Sequence, residues 1–164
     1  MTTPSIQTKL PAVGTTIFTV MSALAAEKNA VNLGQGFPDF NCDPKLVDAV
    51  TSAMQQGLNQ YPPMVGIPSL RLAVSDKMAA LHGKRYDANS EITITAGATQ
   101  AIITIILAIV QAGDEVIVLE PCYDSYVPNI ELAGGVVVRV PLTPKTFRPD
   151  MGKISAAITP KTRA

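Results

Sequence analysis

Residues 92–104 read Ile-Thr-Ile-Thr-Ala-Gly-Ala-Thr-Gln-Ala-Ile-Ile-Thr. The β-branched run Ile92–Thr95 predicts a short strand, and the apolar pattern beginning at Ala98 predicts a helix, with Gly97 allowing a tight turn between them. The first N–H groups of that helix, at Ala98 and Thr99, and the positive end of its dipole suit an anion such as a phosphate. An ordinary strand-to-helix turn, in which Thr99 caps its own helix, is the alternative that the pattern alone favours.

Strands and helices alternate through the second half of the chain. The predicted strands are Ile92–Thr95, Glu115–Leu119 and Val136–Val140, and the predicted helices are Ala98–Ala112, Tyr123–Ala133 and one that begins at Lys153. This alternation indicates right-handed βαβ units around a parallel sheet, and therefore the α/β fold class. The continuous apolar run Val116–Leu119 is typical of a strand that is covered on both faces.

The first half of the chain predicts helices separated by loops rich in Gly and Pro. The helices are Thr15–Lys28, Pro44–Gln56 and Ser69–His82. Asp43 before Pro44 is a strong helix start, Gly57 suits the left-handed residue that ends a helix, and the third helix is expected to stop at Gly83.

Composition excludes several classes of function. The 164 residues are 47% hydrophobic and 16% charged, with 13 basic and 13 acidic side chains, so no basic surface for nucleic acid is expected. The most apolar run, Ala101–Val110, is too short to cross a membrane, and the N-terminus has no signal-peptide pattern. Cys42 and Cys122 are expected to be free thiols in a reducing cytoplasm. With one histidine and no CxxC pair, no metal site is predicted.

The predicted sheet is small for a complete domain. Three strands are expected, and residues 161–164 fall where a next strand would be due. We therefore expect the chain to be the amino-terminal part of a larger enzyme.

Several residues outside the Gly97 turn are candidates for ligand contacts. Tyr123 follows the second predicted strand, at the same sheet edge as Thr99, where ligands of open parallel sheets bind. A flat aromatic side chain there could stack on a planar ring, although packing against the sheet is the simpler explanation. Gly36 and Tyr61 lie in Gly/Pro-rich loops and indicate nothing specific when taken singly.

Four motifs in a fixed order give a more specific signal. They are Asn-Leu-Gly-Gln-Gly-Phe-Pro-Asp-Phe at 32–40, the segment from Gln-Tyr-Pro-Pro to Leu-Arg at 60–71, Thr-Ala-Gly-Ala-Thr-Gln-Ala at 95–101, and Gly-Asp-Glu-Val to Glu-Pro-Cys-Tyr-Asp-Ser-Tyr at 113–126. Together they resemble the fold-type-I aminotransferases that use pyridoxal 5′-phosphate (PLP), in the methionine/kynurenine-type (glutamine transaminase K-like) subgroup. The resemblance implies the αβα sandwich of that family's major domain, incomplete in this chain. Residues 1–42 would be an arm and small-domain segment, and 43–164 the first part of the large PLP-binding domain.

The resemblance also implies roles for individual residues. Gly97, Ala98 and Thr99 match the phosphate cradle, and Tyr123 matches the aromatic residue that stacks on the cofactor ring. Tyr61 matches a tyrosine that reaches the phosphate in the partner subunit, which implies a homodimer with shared sites. Gly36 matches the residue whose backbone contacts the substrate carboxylate. At the position of Thr99, kynurenine-type enzymes often carry an aromatic residue, so this chain departs from them there.

The implied reaction moves the amino group of a methionine, aromatic or glutamine-like amino acid to a 2-oxo acid. The family's Schiff-base lysine, its ring-nitrogen aspartate and its carboxylate-binding arginine are expected beyond residue 164. No catalytic residue is therefore assigned here, and the 164 residues alone are expected to be inactive. The alternatives are a non-catalytic PLP- or phosphate-binding fragment and a nucleotide-binding α/β domain, although GxGxxG and GxxxxGK[ST] fingerprints are absent.

Overall fold

Helices and a short parallel sheet account for the regular structure of the chain. The computed structural model describes residues 7–36, 38 and 40–164. Its elements are α1 Ile17–Glu27, α2 Pro44–Gln55, α3 Pro68–His82, α4 Gly97–Ile109, β1 Glu115–Glu120, α5 Tyr126–Leu132, β2 Val136–Pro141 and α6 Met151–Ala157. They divide into two compact units, one formed by residues up to Val20 with Ala96–Ala164 and the other by Met21–Thr95. Phe37 and Asp39 of the first motif, and residues 1–6 of the predicted arm, lie outside the described residues.

Capping residues fix the helices of the Met21–Thr95 unit. The Asp43 side chain accepts a hydrogen bond from the Lys45 N–H at 2.9 Å, and Pro44 and Pro68 occupy the first helical positions of α2 and α3. Gly83 ends α3 in the left-handed conformation, at φ 69°. The predicted helices are confirmed within one residue for α2 and α3 and within two for α1, because their start and stop signals are local.

The predicted strand at Ile92–Thr95 is wrong. These residues lie outside every strand, and the Ile94 N–H donates instead to the Val65 carbonyl at 3.0 Å. A β-branched run becomes a strand only where a neighbour supplies a hydrogen-bonded ladder, and within the described residues no ladder forms along this segment. The sheet of the described chain therefore contains two of the three predicted strands.

The sheet is parallel, as predicted, and belongs to the unit containing Ala96–Ala164. β1 and β2 pair from Glu115 opposite Val136 to Glu120 opposite Pro141. Each strand extends one residue past its predicted end. On the other edge of β1, the Glu115 N–H donates to the Lys161 carbonyl at 2.9 Å, and the Arg163 N–H donates to the Glu115 carbonyl at 2.8 Å. β1 thus lies between β2 and the backbone of residues 161–163.

Tertiary contacts shift the ends of the later helices. α4 ends at Ile109 rather than Ala112, because Val110 turns to an extended conformation and packs in the core with Val116, Val118 and Ile130. α5 begins at Tyr126 rather than Tyr123. Pro128 is its third residue, and a proline, which lacks an N–H, is tolerated in a first turn.

α6 begins two residues earlier than predicted, at Met151. The Asp150 side chain caps it by accepting hydrogen bonds from the Gly152 and Lys153 N–H groups at 3.0 and 3.2 Å. Across the part of the chain that the structure describes, every helix is too short or too polar to cross a membrane.

Candidate functional site

The N-terminus of α4 is open and carries no negative charge. Gly97 is the first helical residue, with φ 83°, and a Cβ added to it would meet nothing within 4 Å. Ala98 and Thr99 are exposed, and the first turn of this 13-residue helix contains no acidic residue. The N–H groups of a first turn have no acceptor within their own helix, so Ala98 and Thr99 present an electropositive surface suited to an anion.

Gln100 holds the turn that leads into this helix. Its Oε1 accepts a hydrogen bond from the Ala96 N–H, so the side chain reaches back to the residue that precedes α4. The arrangement resembles one half of a capping box, in which a glutamine near the helix start satisfies the backbone N–H of the cap residue. Gln100 belongs to the motif at 95–101 but had no predicted role. Its position near the start of a predicted helix was the signal for a capping residue.

Tyr123 lies beside the α4 N-terminus, as the sequence predicts. Its hydroxyl is 3.2 Å from Thr99 Oγ1, within hydrogen-bond distance. The Tyr126 ring packs against the Tyr123 ring edge-to-face, with centroids 5.8 Å apart and an angle of 82° between the planes. Tyr123 is nevertheless 42% exposed, so a restrained aromatic ring remains accessible next to the helix start.

A cavity of about 480 Å³ adjoins Tyr123 within the same unit. Its walls include Val13 and Ile17, the first residue of α1, together with Cys122, Tyr123 and Asp124. Both cysteines of the chain are free thiols, and Cys122 is half-buried here. At the carboxyl end of β1, Glu120 is paired with Arg139, whose Nε lies 2.8 Å from Glu120 Oε1. The Glu120 carboxylate therefore has a cationic partner of its own.

Gly36 and Tyr61 belong to the other unit, Met21–Thr95. Gly36 is exposed, and a Cβ added there would meet nothing within 4 Å. The Tyr61 side chain is fully exposed, on a segment continued by Pro62 and Pro63. The structure therefore brings Thr99 and Tyr123 into contact, and it leaves Gly36 and Tyr61 accessible on the surface of their own unit. The ligand roles of all these residues stay predictions.

Two aspartates have pKa values below their ordinary range. The pKa of Asp114 is lowered mainly because its carboxylate accepts the Gln111 N–H, and further because Arg163 donates to it at 3.0 Å. The pKa of Asp87 is lowered mainly by the Asn89 N–H and next by the Ser90 hydroxyl. Asp114 precedes β1 at its amino end, so this charge stabilises the end of the sheet opposite to Tyr123.

The part of the chain that contains these residues matches a known protein family. The sequence model of the aminotransferase class I and II family matches residues 28–164, which include the α4 start, β1 and Tyr123. The chain belongs to that family. Members of the class I and II aminotransferases depend on PLP, so the expected cofactor class is confirmed at the level of the family.

One relative of this chain has a name that matches the subgroup indicated by the motifs, and another has a different substrate in its name. The chain is 50% identical to methionine aminotransferase of Escherichia coli over 157 residues, covering 96% of this chain and 41% of that protein. It is 45% identical to a probable N-succinyldiaminopimelate aminotransferase, DapC, of Mycobacterium tuberculosis, covering 92% of this chain and 38% of that protein. The chain thus spans about two fifths of the length of the curated relatives it matches.

A solved structure of the family has a closely similar backbone over the part that this chain spans. The crystal structure of YbdL from Escherichia coli, described as having a methionine aminotransferase function, superposes with a TM-score of 0.92 at 49% identity. The match covers 97% of this chain and 42% of that one. The expected α/β fold of the type-I aminotransferases is therefore confirmed for the part of the fold that this chain spans.

The residues around the α4 start fit the anionic end of PLP. The first-turn N–H groups and the Thr99 hydroxyl are donors of the kind that bind phosphate. The first turn contains no acidic residue that would repel an anion, and a Cβ at Gly97 would meet nothing within 4 Å. The exposed Tyr123 ring lies beside that turn, where it could face a flat aromatic cofactor.

Proposed function

We propose that the protein carrying this chain is a PLP-dependent aminotransferase. It would move the amino group of methionine, an aromatic amino acid or a glutamine-like amino acid to a 2-oxo acid. The observation that carries the proposal is the 3.2 Å contact between Thr99 and Tyr123 at the open N-terminus of α4, inside the region that matches the family. Relatives whose names specify methionine support the donor class.

The chain's own residues would bind and orient the cofactor. The N–H groups of Ala98 and Thr99 and the Thr99 hydroxyl would hold the phosphate, and Gly97 leaves room for its approach. The Tyr123 ring would lie against the pyridine ring and fix its plane. PLP, when bound, supplies the electron-accepting ring that amino transfer needs.

Two further contacts follow from the motifs. The Gly36 backbone would contact the carboxylate of the substrate, and Tyr61 would reach the phosphate bound in a partner subunit. The full exposure of Tyr61 supports a contact outside its own unit. We therefore propose a homodimer with shared sites, and the two free thiols favour the cytoplasm as its compartment.

The test is an amino-transfer assay on the intact protein with added PLP. Methionine, kynurenine, phenylalanine, glutamine and aspartate serve as donors in parallel, with one 2-oxo acid as acceptor. We expect PLP-dependent turnover with methionine, an aromatic donor or glutamine. Binding of PLP without turnover of any donor would support the alternative of a non-catalytic PLP- or phosphate-binding fragment. Binding of ATP or NAD with no binding of PLP would support the nucleotide-binding alternative.

A further inference from the structure

A buried arginine lies beneath the loop that carries Tyr61. Arg71, on α3, is 7% exposed. Its Nε donates to the Gly66 carbonyl at 3.2 Å, and its Nη1 donates to the Ala88 carbonyl at 2.6 Å. One guanidinium thus joins the turn at Gly66 to the segment around Ala88, and both acceptors are backbone oxygens.

The turn at Gly66 is held from a second direction as well. The Gly66 N–H donates to the Pro63 carbonyl at 2.8 Å, and the Ile94 N–H donates to the Val65 carbonyl at 3.0 Å. Gly66 has φ 96°, and a Cβ there would lie 2.4 Å from Ile94 Cγ1. The turn therefore packs directly on Ile94, and Arg71 fixes its carbonyl.

Tyr61 projects from this turn through a stiff connection. Pro62 and Pro63 follow it, and a proline ring fixes φ near −65°. The hydrogen bond from the Gly66 N–H to the Pro63 carbonyl joins the prolines to the turn, so a shift of the Gly66 turn would move the segment that carries Tyr61. The phenol itself is fully exposed, so the loop below it is what restrains its position.

We propose that Arg71 is a positioning residue, which sets the Gly66 turn so that Tyr61 presents its hydroxyl to the cofactor phosphate of a partner subunit. This inference rests on the proposed function, in which Tyr61 makes that contact. A planar guanidinium suits the role because its rigid fork reaches two acceptors at once, whereas an ammonium is a single flexible point charge.

Ser75 supplies a matched control on the same face of α3. It lies four residues after Arg71, is 2% exposed, and donates its hydroxyl to the Tyr86 carbonyl. It therefore secures the same 86–89 segment, and its hydroxyl bond does not involve Gly66. Ser75→Ala therefore shows how the loss of a buried hydrogen bond changes PLP affinity when the hydrogen bonds of the Gly66 turn are intact.

The experiment is a spectrophotometric titration of the intact protein with PLP, alongside thermal unfolding. Tyr61→Phe should raise the dissociation constant of PLP about tenfold or more, as loss of a hydrogen bond to a charged acceptor does. Arg71→Lys should raise it about threefold to tenfold. Ser75→Ala should lower the unfolding temperature and leave PLP affinity at the wild-type value.

The double variant Arg71→Lys/Tyr61→Phe separates positioning from general destabilisation. If Arg71 acts through Tyr61, the double variant should bind PLP within about twofold of Tyr61→Phe alone, because the shared contact is already lost. If instead the two substitutions raise the dissociation constant of PLP by factors that multiply in the double variant, the inference is overturned. It is also overturned if Ser75→Ala raises that constant as much as Arg71→Lys does. If Arg71→Lys fails to fold, Gly66→Ala replaces it, because this substitution displaces the same turn. It is then combined with Tyr61→Phe in a double variant and compared with the two single variants in the same way.

The outcomes also separate this inference from the proposed function. If wild-type protein binds no PLP, the proposed function fails. If Tyr61→Phe binds PLP as wild type does, the contact assigned to Tyr61 is wrong and Arg71 has nothing to position. If Tyr61→Phe weakens binding and Arg71→Lys does not, the inference about Arg71 alone is overturned.

Discussion

The hydroxyl of Thr99 lies 3.2 Å from the Tyr123 hydroxyl, on the helix turn that we propose holds the phosphate. Thr99→Val removes the hydroxyl and keeps the shape of the side chain. We expect the dissociation constant of PLP to rise about tenfold, because a hydrogen bond to a charged acceptor contributes about 1.5 kcal/mol or more.

The matched control is Thr104→Val, an exposed threonine on the same helix beyond its first turn. It should bind PLP with wild-type affinity. The dissociation constants are measured by titration with PLP, followed by absorbance. If Thr99→Val and wild type bind PLP equally well, the Thr99 hydroxyl does not contact the phosphate.

Asp114 makes stability depend on pH at the amino end of β1. Its pKa is lowered in the folded chain, first by the Gln111 N–H and then by Arg163. The stabilisation is therefore fully present above the unfolded pKa of about 3.9 and is lost as pH falls through the lower folded value. In Asp114→Asn, the free energy of unfolding should fall less steeply than in wild type as the pH drops below about 4.

Urea unfolding between pH 5 and pH 2.5, followed by circular dichroism, measures this effect. Asp48→Asn, which removes an exposed carboxylate from α2, controls for the change in net charge. An acid dependence of Asp114→Asn identical to that of wild type would show that the carboxylate has no such role.

At the scale of elements, the Gly134-Gly135 turn lets α5 pack against β1 and the end of α4. A Cβ on Gly135 would lie 2.7 Å from Val110 Cγ1 and 3.0 Å from Ile130 Cγ2, both in the core. Gly135→Ala should lower the free energy of unfolding by about 1–3 kcal/mol, the range for overpacking a core.

Gly14→Ala is the control for this substitution, because a Cβ at Gly14 would meet nothing within 4 Å. It should change the free energy of unfolding by less than about 0.5 kcal/mol. Chemical denaturation of the two variants compares them directly. Equal stability would mean that the core beside Gly135 relaxes at no cost.

Elements with local boundary signals could be predicted from the sequence, and those set by tertiary contacts could not. The cap at Asp43 and the left-handed Gly83 fixed α2 and α3 almost to the residue. Ile92–Thr95 failed because strand formation depends on a partner that its own residues do not specify. α4 ended early because Val110 is drawn into the core, which no local pattern reveals.

The candidate site likewise contains features that the sequence predicted and others that depend on the folded chain. The sequence predicted that Thr99 and Tyr123 lie near each other because each was expected to follow a strand of one parallel sheet. The two hydroxyls are 3.2 Å apart although Ile92–Thr95, before Thr99, forms no strand in the described chain. Arg71 and Gln100 were missed because they act through backbone groups, Gly66 O and the Ala96 N–H, whose positions depend on the folded chain.

At the scale of the whole molecule, many apolar side chains of the described chain face outward. On α2 the residues Leu46, Val47, Val50 and Met54 are between 50% and 60% exposed. A contiguous apolar surface of this kind favours association. Residues 1–164 expressed alone should therefore self-associate, as measured by light scattering after gel filtration. A monomer that unfolds cooperatively would contradict this expectation.

We propose that the start of α4 holds the phosphate of PLP while Tyr123 lies against its ring. The decisive measurement is a crystal structure of the intact protein with PLP. We predict phosphate oxygens about 3 Å from the backbone nitrogens of Ala98 and Thr99, with the pyridine ring stacked on Tyr123. A helix start filled by protein side chains, with the phosphate bound elsewhere, would contradict the account.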